Sequence, residues 1–234
     1  QQGNPWTPKP RDPGFEKRLF EGKTTEGINF DNYANIPINI AGLDVPPLIT
    51  TFKDANLHPG IHWNLQLSGY NNPTPIQKAS IPIVLERRDL MACAQTGSGK
   101  TAAFLLPILS NGPSSDDSEN KGSSNRWGAS RPVAATPSAL ILAPTRELAI
   151  QIKEEVDKFA YRSFVRCNCI YGGTSVDQQR NSLSNGCDVL VATPGRLMDF
   201  LERGVVYLRN VRYLIMDEAD RMLDMGFEPQ IRRI

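Results

Sequence analysis

Three acidic side chains, Asp217, Glu218 and Asp220, follow directly on the apolar run Tyr213–Met216. Carboxylates crowded at the end of a buried strand repel one another and are costly to desolvate, so their position favours a nearby cation over a role in stability. The predicted cation is Mg²⁺ carried by a nucleotide, which Asp217 would hold through water. Glu218 would orient and deprotonate the attacking water, and Asp220 would brace neighbouring loops. An acid-rich turn that only caps the next helix would explain one of these acids but not three.

Residues 95–101, with the sequence QTGSGKT, are typical of a phosphate-binding loop. Glycines allow backbone N–H groups to turn toward phosphate oxygens, and the following helix adds its positive N-terminal end. In this pattern Lys100 reaches the β- and γ-phosphates and Thr101 ligates Mg²⁺. The broad pattern begins with Gly, whereas this chain has Ala94 at that position. A chance occurrence of GSGKT after a buried strand is the weaker alternative.

The upstream stretch GYNNPTPIQ could recognise the base of a nucleotide. Its two prolines predict a rigid turn. The amide of Gln77 offers both a donor and an acceptor, which suits the N6/N7 edge of adenine. Phe52, further upstream, could stack on the base. The same stretch could instead be only the start of a helix, and these residues alone leave that choice open.

A repeating unit positions these loops: an apolar run, then a special loop, then a helical pattern. The runs at 89–94, 139–143, 188–192 and 213–216 lead into QTGSGK, PTRE, TPGR and DEAD, respectively. Apolar residues from Leu148 to Phe159 repeat at helical spacing after the second loop. Fully apolar strands that alternate with helices predict an α/β fold, a doubly wound parallel sheet with helices on both faces. All the loops would then lie at the carboxyl edge of the sheet, where such folds bind ligands.

The motifs GYNNPTPIQ, AQTGSGKT, PTRELA, YGG, TPGR and DEAD occur here in the order of the DEAD-box RNA helicases, which the chain resembles from Phe52 to Ile234. Ala94 is the residue this family uses at that position. The flanking stretches resemble the Belle-like branch, the sister group of Vasa. The resemblance implies a RecA-like fold of the P-loop NTPase class, with ATP as cofactor, ADP as product, and Mg²⁺.

The resemblance also implies three sets of site residues. The catalytic residues would be Lys100, Asp217 and Glu218, with Mg²⁺ ligated by Thr101 and Asp217. The nucleotide contacts would be Phe52, Tyr70, Gln77, Ala94, Thr96, Gly97, Ser98, Gly99, Lys100 and Thr101. The RNA contacts would be Pro144, Thr145, Arg146, Gly172, Gly173, Thr193, Pro194, Gly195 and Arg196. Without the resemblance, Thr193 and Pro194 are simply a good N-cap and a good first helical residue.

The composition suggests one folded domain with two irregular segments. Residues 1–50, rich in Pro, Gly, Asn and Thr, predict a partly ordered extension with one amphipathic patch at 15–20, before organised structure begins near Phe52. Residues 110–138 are rich in Ser, Gly and Asn without periodicity, which predicts a largely disordered insertion. Residues 51–234 would be one RecA-like domain. The second RecA-like domain, whose arginines would stabilise the γ-phosphate charge, is expected to lie outside this chain.

The bulk numbers exclude some classes of protein. A net charge of +1 and 40% hydrophobic residues argue against a polybasic nucleic-acid binder, but allow phosphate contacts made by amides and a few arginines. No apolar run approaches the roughly 20 residues that cross a bilayer, so no membrane association is expected. The four cysteines lack metal-ligand spacing and predict reduced core thiols in a cytosolic protein.

The expected function is the ATP-binding half of an ATP-dependent RNA helicase, coupling ATP binding and hydrolysis to RNA binding and to duplex unwinding or ribonucleoprotein remodelling. The expected partners are RNA bound through its phosphates, the second RecA-like domain, and proteins of translation or mRNA metabolism. The expected location is the cytoplasm, including RNA granules, with some nuclear shuttling. One alternative is an ATP-gated RNA clamp or assembly scaffold. A DNA-directed P-loop ATPase is another, although the adenine turn and TPGR argue against it. This chain alone is expected to be nearly inactive.

Overall fold

A computed structural model describes residues 8–21, 37–112 and 134–234 of the chain. The helices, numbered in chain order, are α1 (Pro13–Phe20), α2 (Pro59–Leu67), α3 (Pro75–Leu85), α4 (Lys100–Asn111), α5 (Arg146–Phe159), α6 (Val176–Ser184), α7 (Pro194–Glu202), α8 (Ala219–Asp224) and α9 (Glu228–Arg233). The strands are β1 (Ala139–Leu142), β2 (Cys167–Ile170), β3 (Val189–Ala192) and β4 (Tyr213–Met216), and a 3₁₀ turn spans Phe52–Ala55. No helix in the described ranges is both long enough and apolar enough to cross a membrane.

The described residues divide into two compact units. One unit comprises residues 8–21, 37–112 and 155–164, and the other comprises residues 134–154 and 165–234. In the first unit, α3 packs against α4, and apolar residues such as Ile81 and Leu105 are fully buried. The buried amide of Asn64 donates hydrogen bonds to the carbonyl oxygens of Phe159 and Tyr161, 2.8 and 2.9 Å away. These bonds tie α2 to the end of α5.

The second unit is built on a four-stranded parallel sheet with the strand order β2-β3-β1-β4. All residues of β1 and β3, the two central strands, are buried. Side chains of α7, including Phe200, join Leu140, Leu190 and Met222 in one hydrophobic core. Strands that are apolar on both faces need helices on both sides of the sheet, as the sequence predicts. The strands predicted at 139–143, 188–192 and 213–216 are confirmed, because they form β1, β3 and β4.

The prediction of a strand at 89–94 is wrong, because the structure assigns no strand to these residues. This segment pairs with no strand among the described residues, and the side chain of Met91 is 91% exposed. β4 is an edge of the described sheet, and its residues Leu214 and Met216 are about half exposed. An apolar run becomes a strand only when a neighbouring backbone satisfies its N–H and C=O groups. The sequence shows the run but not whether a neighbour is present.

Organised structure begins earlier than Phe52, because the amphipathic patch at 15–20 belongs to α1. The carboxylate of Asp12 accepts a hydrogen bond from the N–H of Phe15 at 2.9 Å and caps this helix. The rings of Phe15 and Phe20 lie against Tyr161, with ring centres 6.0 and 5.7 Å away. The Tyr161 hydroxyl donates to the carboxylate of Glu16 at 3.1 Å. Ring contacts with Tyr161 and capping by Asp12 thus order a segment that its composition assigned to an irregular extension.

The edges of the predicted insertion at 110–138 also need correction. Ser110 and Asn111 complete α4, while Ala135 and Ser138 are buried beyond the insertion. The N–H of Ala135 donates to the carbonyl of Val205 at 2.9 Å, so residues 134–138 belong to the core of the second unit. The remainder of the predicted insertion, residues 113–133, lies outside the described residues, as do residues 1–7 and 22–36 of the predicted extension.

The cysteines are all free thiols, as the sequence predicts, but they do not share one environment. Cys187 is buried, and burial raises the pKa of its thiol to about 12. Cys93 is exposed, contrary to the expectation of a core position. The reason is the same as for Met91, since both belong to the segment that forms no strand.

Candidate functional site

The predicted phosphate loop is a glycine turn that runs directly into α4. Gly97 and Gly99 have φ angles of 75° and 89°, in the left-handed region that glycine adopts without strain. Helix α4 begins at Lys100, so the backbone N–H groups of its first turn lie at the end of the loop. A helix N-terminus preceded by such a turn is a ready-made site for phosphate.

Lys100 folds back over this loop. Its ammonium group donates hydrogen bonds to the carbonyl oxygens of Ala94 and, at 3.1 Å, of Gln95. These carbonyls are weak partners compared with a phosphate, which offers charge-assisted hydrogen bonds. The lysine is therefore held at the loop by contacts that a nucleotide phosphate can replace.

Gln77 lies on α3, but its side chain is bonded to the phosphate loop. Its side chain is fully buried, and its Oε1 accepts a hydrogen bond from the N–H of Thr74 at 3.0 Å. Its Nε2 donates to the carbonyl of Gly99 at 3.1 Å. A Cβ atom at Gly99 would collide with this amide, so glycine is required there by both space and backbone angle. Gln77 thus joins the start of α3 to the phosphate loop.

One buried hydroxyl group beside the loop points to a polar ligand. Ser98 is nearly inaccessible to solvent, and within the described ranges its hydroxyl has no hydrogen-bond partner. The buried hydroxyl of Thr74 instead faces the backbone N–H of Gln77 in a capping box at the start of α3. Buried polar groups without a partner are costly and uncommon. A nucleotide, with its many phosphate and ribose oxygens, fits this donor-rich surrounding.

The two aromatic residues assigned to the nucleotide lie in the core of the first unit. Phe52 and Tyr70 are each about 5% exposed, and their rings meet edge to face with centres 6.5 Å apart. Tyr70 also packs on Phe159, and burial raises the pKa of its hydroxyl. These contacts fix the segment that leads to Gln77, and direct contact of either ring with a base stays a prediction.

The acidic loop begins where β4 ends. The N–H of Asp217 donates to the carbonyl of Leu142 at 3.0 Å, and the Asp217 carboxylate accepts from the N–H of Glu218 at 3.1 Å. Glu218 has a φ angle of 50°, a left-handed conformation that costs a non-glycine residue about 1 kcal/mol or more. Such strain clusters at functional sites. The Glu218 carboxylate pairs with Arg221 at 3.0 Å, a partner that the sequence motifs do not identify.

The sequence predicts that Asp220 braces neighbouring loops and that Asp217 holds Mg²⁺. Asp220 is exposed in the first turn of α8, and no contact with another described residue supports a brace. Among the described residues, no three His, Cys, Asp or Glu side chains converge on a common point. Mg²⁺ bound to a nucleotide needs only one or two carboxylates, because water and phosphate oxygens complete its shell. A role of Asp217 as one of these carboxylates stays a prediction.

The residues assigned to RNA lie on three loops of the second unit. After Pro144, the Thr145 hydroxyl accepts a hydrogen bond from the N–H of Leu148 at 3.3 Å and so caps α5. The guanidinium of Arg146 lies over the ring of Tyr171, 4.9 Å from its centre. Tyr171 immediately precedes the glycine pair, so this contact joins the first loop to the second.

The glycine pair and the TPGR loop are also joined. Gly172 and Gly173 are exposed with open space at their Cα atoms, and Gly173 has a φ angle of 80°. Arg196 donates to the carbonyl of Thr174 at 3.1 Å and to the side chain of Gln179 at 3.0 Å. The structure therefore brings together Arg146, the glycine pair and Arg196, as the sequence predicts for one surface.

Two details of the TPGR loop bear on the capping interpretation. Pro194 occupies the first turn of α7 and Thr193 its N-cap, as predicted, but the Thr193 hydroxyl makes no capping hydrogen bond. The Thr193 N–H instead donates to the carbonyl of Ile170 at 3.0 Å, which ties the loop to the end of β2. Gly195 has open space around its Cα atom.

Gln179 is a residue that motif reasoning missed. It lies on α6, is 8% exposed, and contacts both the glycine turn and Arg196. The available signal is its spacing, because Val176, Gln179 and Leu183 share the inward face of a helix where an apolar residue is expected. A glutamine at such a position indicates a buried polar network.

A parallel α/β sheet, together with a left-handed glycine turn that leads into a helix beginning with lysine, defines a P-loop nucleotide-binding domain of the RecA-like class. The sequence model of the DEAD/DEAH box helicase family matches residues 74–234, and the chain belongs to this family. The predicted family and fold class are thereby confirmed.

Two solved structures show the same likeness. The RNA helicase Prp28 from Chaetomium thermophilum, in a crystal structure bound to ADP, matches with a TM-score of 0.72 and 41% sequence identity, over 94% of this chain and 50% of the Prp28 chain. A DEAD box protein from the hyperthermophile Methanococcus jannaschii matches with a TM-score of 0.66 and 34% identity, over 80% of this chain and 46% of its own. The chain thus spans about half the length of these relatives.

Proposed function

We propose that this chain is the ATP-binding half of an ATP-dependent RNA helicase, which couples ATP binding and hydrolysis to RNA binding and to local duplex unwinding or ribonucleoprotein remodelling. The observation that carries the proposal is the phosphate loop, in which Lys100 and Gln77 converge on a left-handed glycine turn at the start of α4. Membership of the helicase family and the ADP-bound state of Prp28 support ATP as the nucleotide.

In this proposal, nucleotide binding rearranges contacts that the loop already makes. The Lys100 ammonium leaves the carbonyls of Ala94 and Gln95 and binds the β- and γ-phosphates. The N–H groups at the start of α4 and the hydroxyl of Ser98 donate to phosphate oxygens. Gln77 keeps the carbonyl of Gly99 in place and presents its remaining hydrogen-bonding capacity to adenine.

Mg²⁺ is the metal that we assign to the nucleotide, with Thr101 and Asp217 as the residues that would hold it. When bound, the ion would neutralise charge on the transferred phosphoryl group. Glu218 accepts a proton from the attacking water, which requires that its carboxylate leave Arg221. The left-handed backbone at Glu218 fixes the direction in which the Glu218 side chain projects from the backbone.

RNA contact is assigned to the three loops of the second unit and depends on phosphates rather than bases. The N-termini of α5 and α7 and the open glycine pair offer backbone N–H groups, while Arg146 and Arg196 add positive charge. Such contacts carry no sequence preference. The near-neutral net charge of the chain agrees with binding through a local surface rather than a general basic field.

The wider setting of the protein is also proposed. Relatives of about twice the length support a second RecA-like domain in the complete protein, which supplies arginines to the γ-phosphate. The flanking sequence supports the Belle-like branch, and hence a role in translation or mRNA metabolism with partners from those processes. The same branch resemblance supports a cytoplasmic location, with RNA granules and some nuclear shuttling.

The test uses the complete protein that contains this chain. We expect ATP hydrolysis to rise with single-stranded RNA far more than with DNA of the same sequence, and short RNA duplexes to be separated. Glu218→Gln should bind ATP normally but hydrolyse it about 10²- to 10⁴-fold more slowly, because the general base is lost. Equal stimulation by DNA would overturn the RNA assignment.

The same variant separates a helicase from an ATP-gated clamp. If Glu218→Gln performs the cellular task as well as wild type, and wild type separates no duplex, the protein acts as a clamp on RNA. Loss of the cellular task in this variant supports a role that depends on repeated hydrolysis.

A further inference from the structure

The side-chain amide of Gln179 is fully engaged in hydrogen bonds. Its Oε1 accepts from the N–H of Tyr171 at 3.3 Å and from the guanidinium of Arg196 at 3.0 Å. Its Nε2 donates to the carbonyl of Tyr171 at 3.0 Å and to the hydroxyl of Thr174 at 2.5 Å. An amide side chain has two donors and two acceptor lone pairs, so every position is used.

These bonds hold the glycine pair from both ends. Tyr171 and Thr174 are the residues on either side of Gly172-Gly173, and both are bonded to the one buried amide. The Arg196 guanidinium closes the same ring of contacts through the carbonyl of Thr174. A glycine pair between two fixed residues keeps its N–H groups in one direction, although glycine itself is conformationally free.

The network reaches all three loops that were assigned to RNA. Arg146 rests on the ring of Tyr171, whose backbone Gln179 binds. Arg196 uses two N–H groups on Gln179 and Thr174, and a guanidinium has five, so these bonds orient it without exhausting its donors.

We propose that Gln179 is a positioning residue for RNA binding, which acts by holding the glycine turn 171–174 and the Arg196 guanidinium in one phosphate-binding arrangement. The inference rests on the proposed RNA function and adds a residue that touches no RNA itself. An apolar residue would fill this inward position of α6 at lower cost, since a buried amide is tolerated only when its hydrogen bonds are satisfied. The four bonds all go to the glycine turn and Arg196, which indicates what the amide is for.

The first experiment compares Gln179→Met with Gln178→Met in the complete protein. Methionine keeps the length of the side chain but removes its hydrogen bonds, and Gln178 is the exposed neighbour on the same helix. We expect Gln179→Met to bind single-stranded RNA about 10-fold more weakly, which corresponds to about 1.4 kcal/mol. Adenine nucleotide affinity should stay unchanged in both variants. RNA binding by Gln179→Met equal to that of Gln178→Met would overturn the proposal.

A purely structural role is separated by salt dependence and by coupling to Arg196. RNA affinity falls as salt rises. If Gln179 directs phosphate binding, its replacement should make this dependence shallower, reducing the magnitude of the slope of log affinity against log salt by about 0.7 for each RNA phosphate that the protein no longer neutralises. Arg196→Lys should cost clearly less RNA affinity in the Gln179→Met background than in wild type, because both changes disrupt one arrangement. An unchanged slope with additive losses of affinity would contradict the proposal.

Hydrogen exchange keeps this inference distinct from the proposed function. The Tyr171 amide should exchange faster in Gln179→Met than in wild type, because its acceptor is removed. Unchanged exchange overturns the positioning role whatever the RNA result. Absence of RNA binding by wild type overturns the proposed function instead.

A second variant serves if Gln179→Met does not fold. Thr174→Val removes the hydroxyl that Gln179 binds, together with its long hydrogen bond (3.5 Å) to the carbonyl of Tyr171, and leaves the buried amide intact. It should weaken RNA binding about threefold and be non-additive with Arg196→Lys. Wild-type RNA affinity in Thr174→Val, or losses that add, would count against the proposal.

Discussion

Gln77 shows how one buried side chain can link the start of a helix to the shape of the phosphate loop. Its amide accepts from Thr74 at the start of α3 and donates to Gly99, the residue before Lys100. Any change at Gln77 therefore alters both the helix start and the loop. Loss of the amide leaves buried polar groups unpaired, which is costly.

Replacing Gln77 by Met tests the two roles at once. We expect the free energy of unfolding to fall by about 1–3 kcal/mol, because the Thr74 N–H and the Gly99 carbonyl lose a buried partner. ATP affinity should fall about 10-fold, and GTP affinity by less, since only adenine binding uses the amide directly. Titration of fluorescent ATP and GTP analogues measures both. Gln66→Met, at an exposed glutamine of α2, is the matched control. Equal losses for the two nucleotides would restrict Gln77 to supporting the loop.

Single residues also mark the limit of sequence reasoning. Lys100, Arg146 and Arg196 were assigned from short motifs, and the structure places them at helix starts or loops as those motifs require. Gln179 belongs to no such motif, and its bonds join residues that are 8 and 17 positions away. The Glu218–Arg221 pair depends on a left-handed backbone that a sequence pattern does not specify. Contacts of this kind become visible only in three dimensions.

Hydrophobic periodicity predicted those helices and strands that are stabilised locally or by a paired neighbouring strand. α5 and α7 follow their apolar spacing, and Ile152, Val156 and Phe200 are fully buried as that spacing requires. The same criterion failed at 89–94, where an apolar run has no paired strand in the described part of the chain. It marked the amphipathic patch at 15–20 but not that this patch forms the ordered helix α1, which contacts Tyr161 about 140 residues further along the chain. Long-range contacts decide both cases.

The start of α2 provides a pH-dependent element. His58 is the N-cap, and its Nδ1 accepts a hydrogen bond from the N–H of Gly60 at 3.1 Å, which requires the neutral ring at that nitrogen. Burial lowers the pKa of His58 below the ordinary value of 6.5. A base with a lowered pKa binds fewer protons in the folded state than in the unfolded state. Its stabilisation is therefore complete above pH 6.5 and is lost as the pH falls toward the folded-state pKa.

His58→Asn should remove this pH dependence, because the asparagine side-chain oxygen does not titrate and caps the helix at both neutral and acidic pH. Between pH 7.5 and 5, we expect wild type to lose up to about 1 kcal/mol more of its free energy of unfolding than the variant does. Urea denaturation across this range measures the difference. Burial also lowers the pKa of His62, the only other histidine of the chain, but both proteins retain it. Parallel stability curves would show that His58 does not cap through its neutral ring.

For the protein as a whole, the proposed function places the nucleotide contacts on this chain and the charge-stabilising arginines on a second RecA-like domain. Its relatives of known structure are about twice as long. Catalysis of phosphoryl transfer depends mainly on positioning and on stabilising charge at the γ-phosphate. If the proposed function is right, this chain alone would bind ATP without a large part of that stabilisation.

We therefore predict that the 234-residue chain alone binds adenine nucleotides weakly and hydrolyses ATP at least about 10³-fold more slowly than the complete protein with RNA. RNA should not stimulate the chain, because stimulation requires RNA and ATP to favour a common closed state of both domains. Steady-state phosphate release, with and without single-stranded RNA, measures this difference. The complete protein carrying Glu218→Gln sets the background rate. RNA-stimulated hydrolysis by the chain at the rate of the complete protein would show that one domain supplies all the catalytic groups.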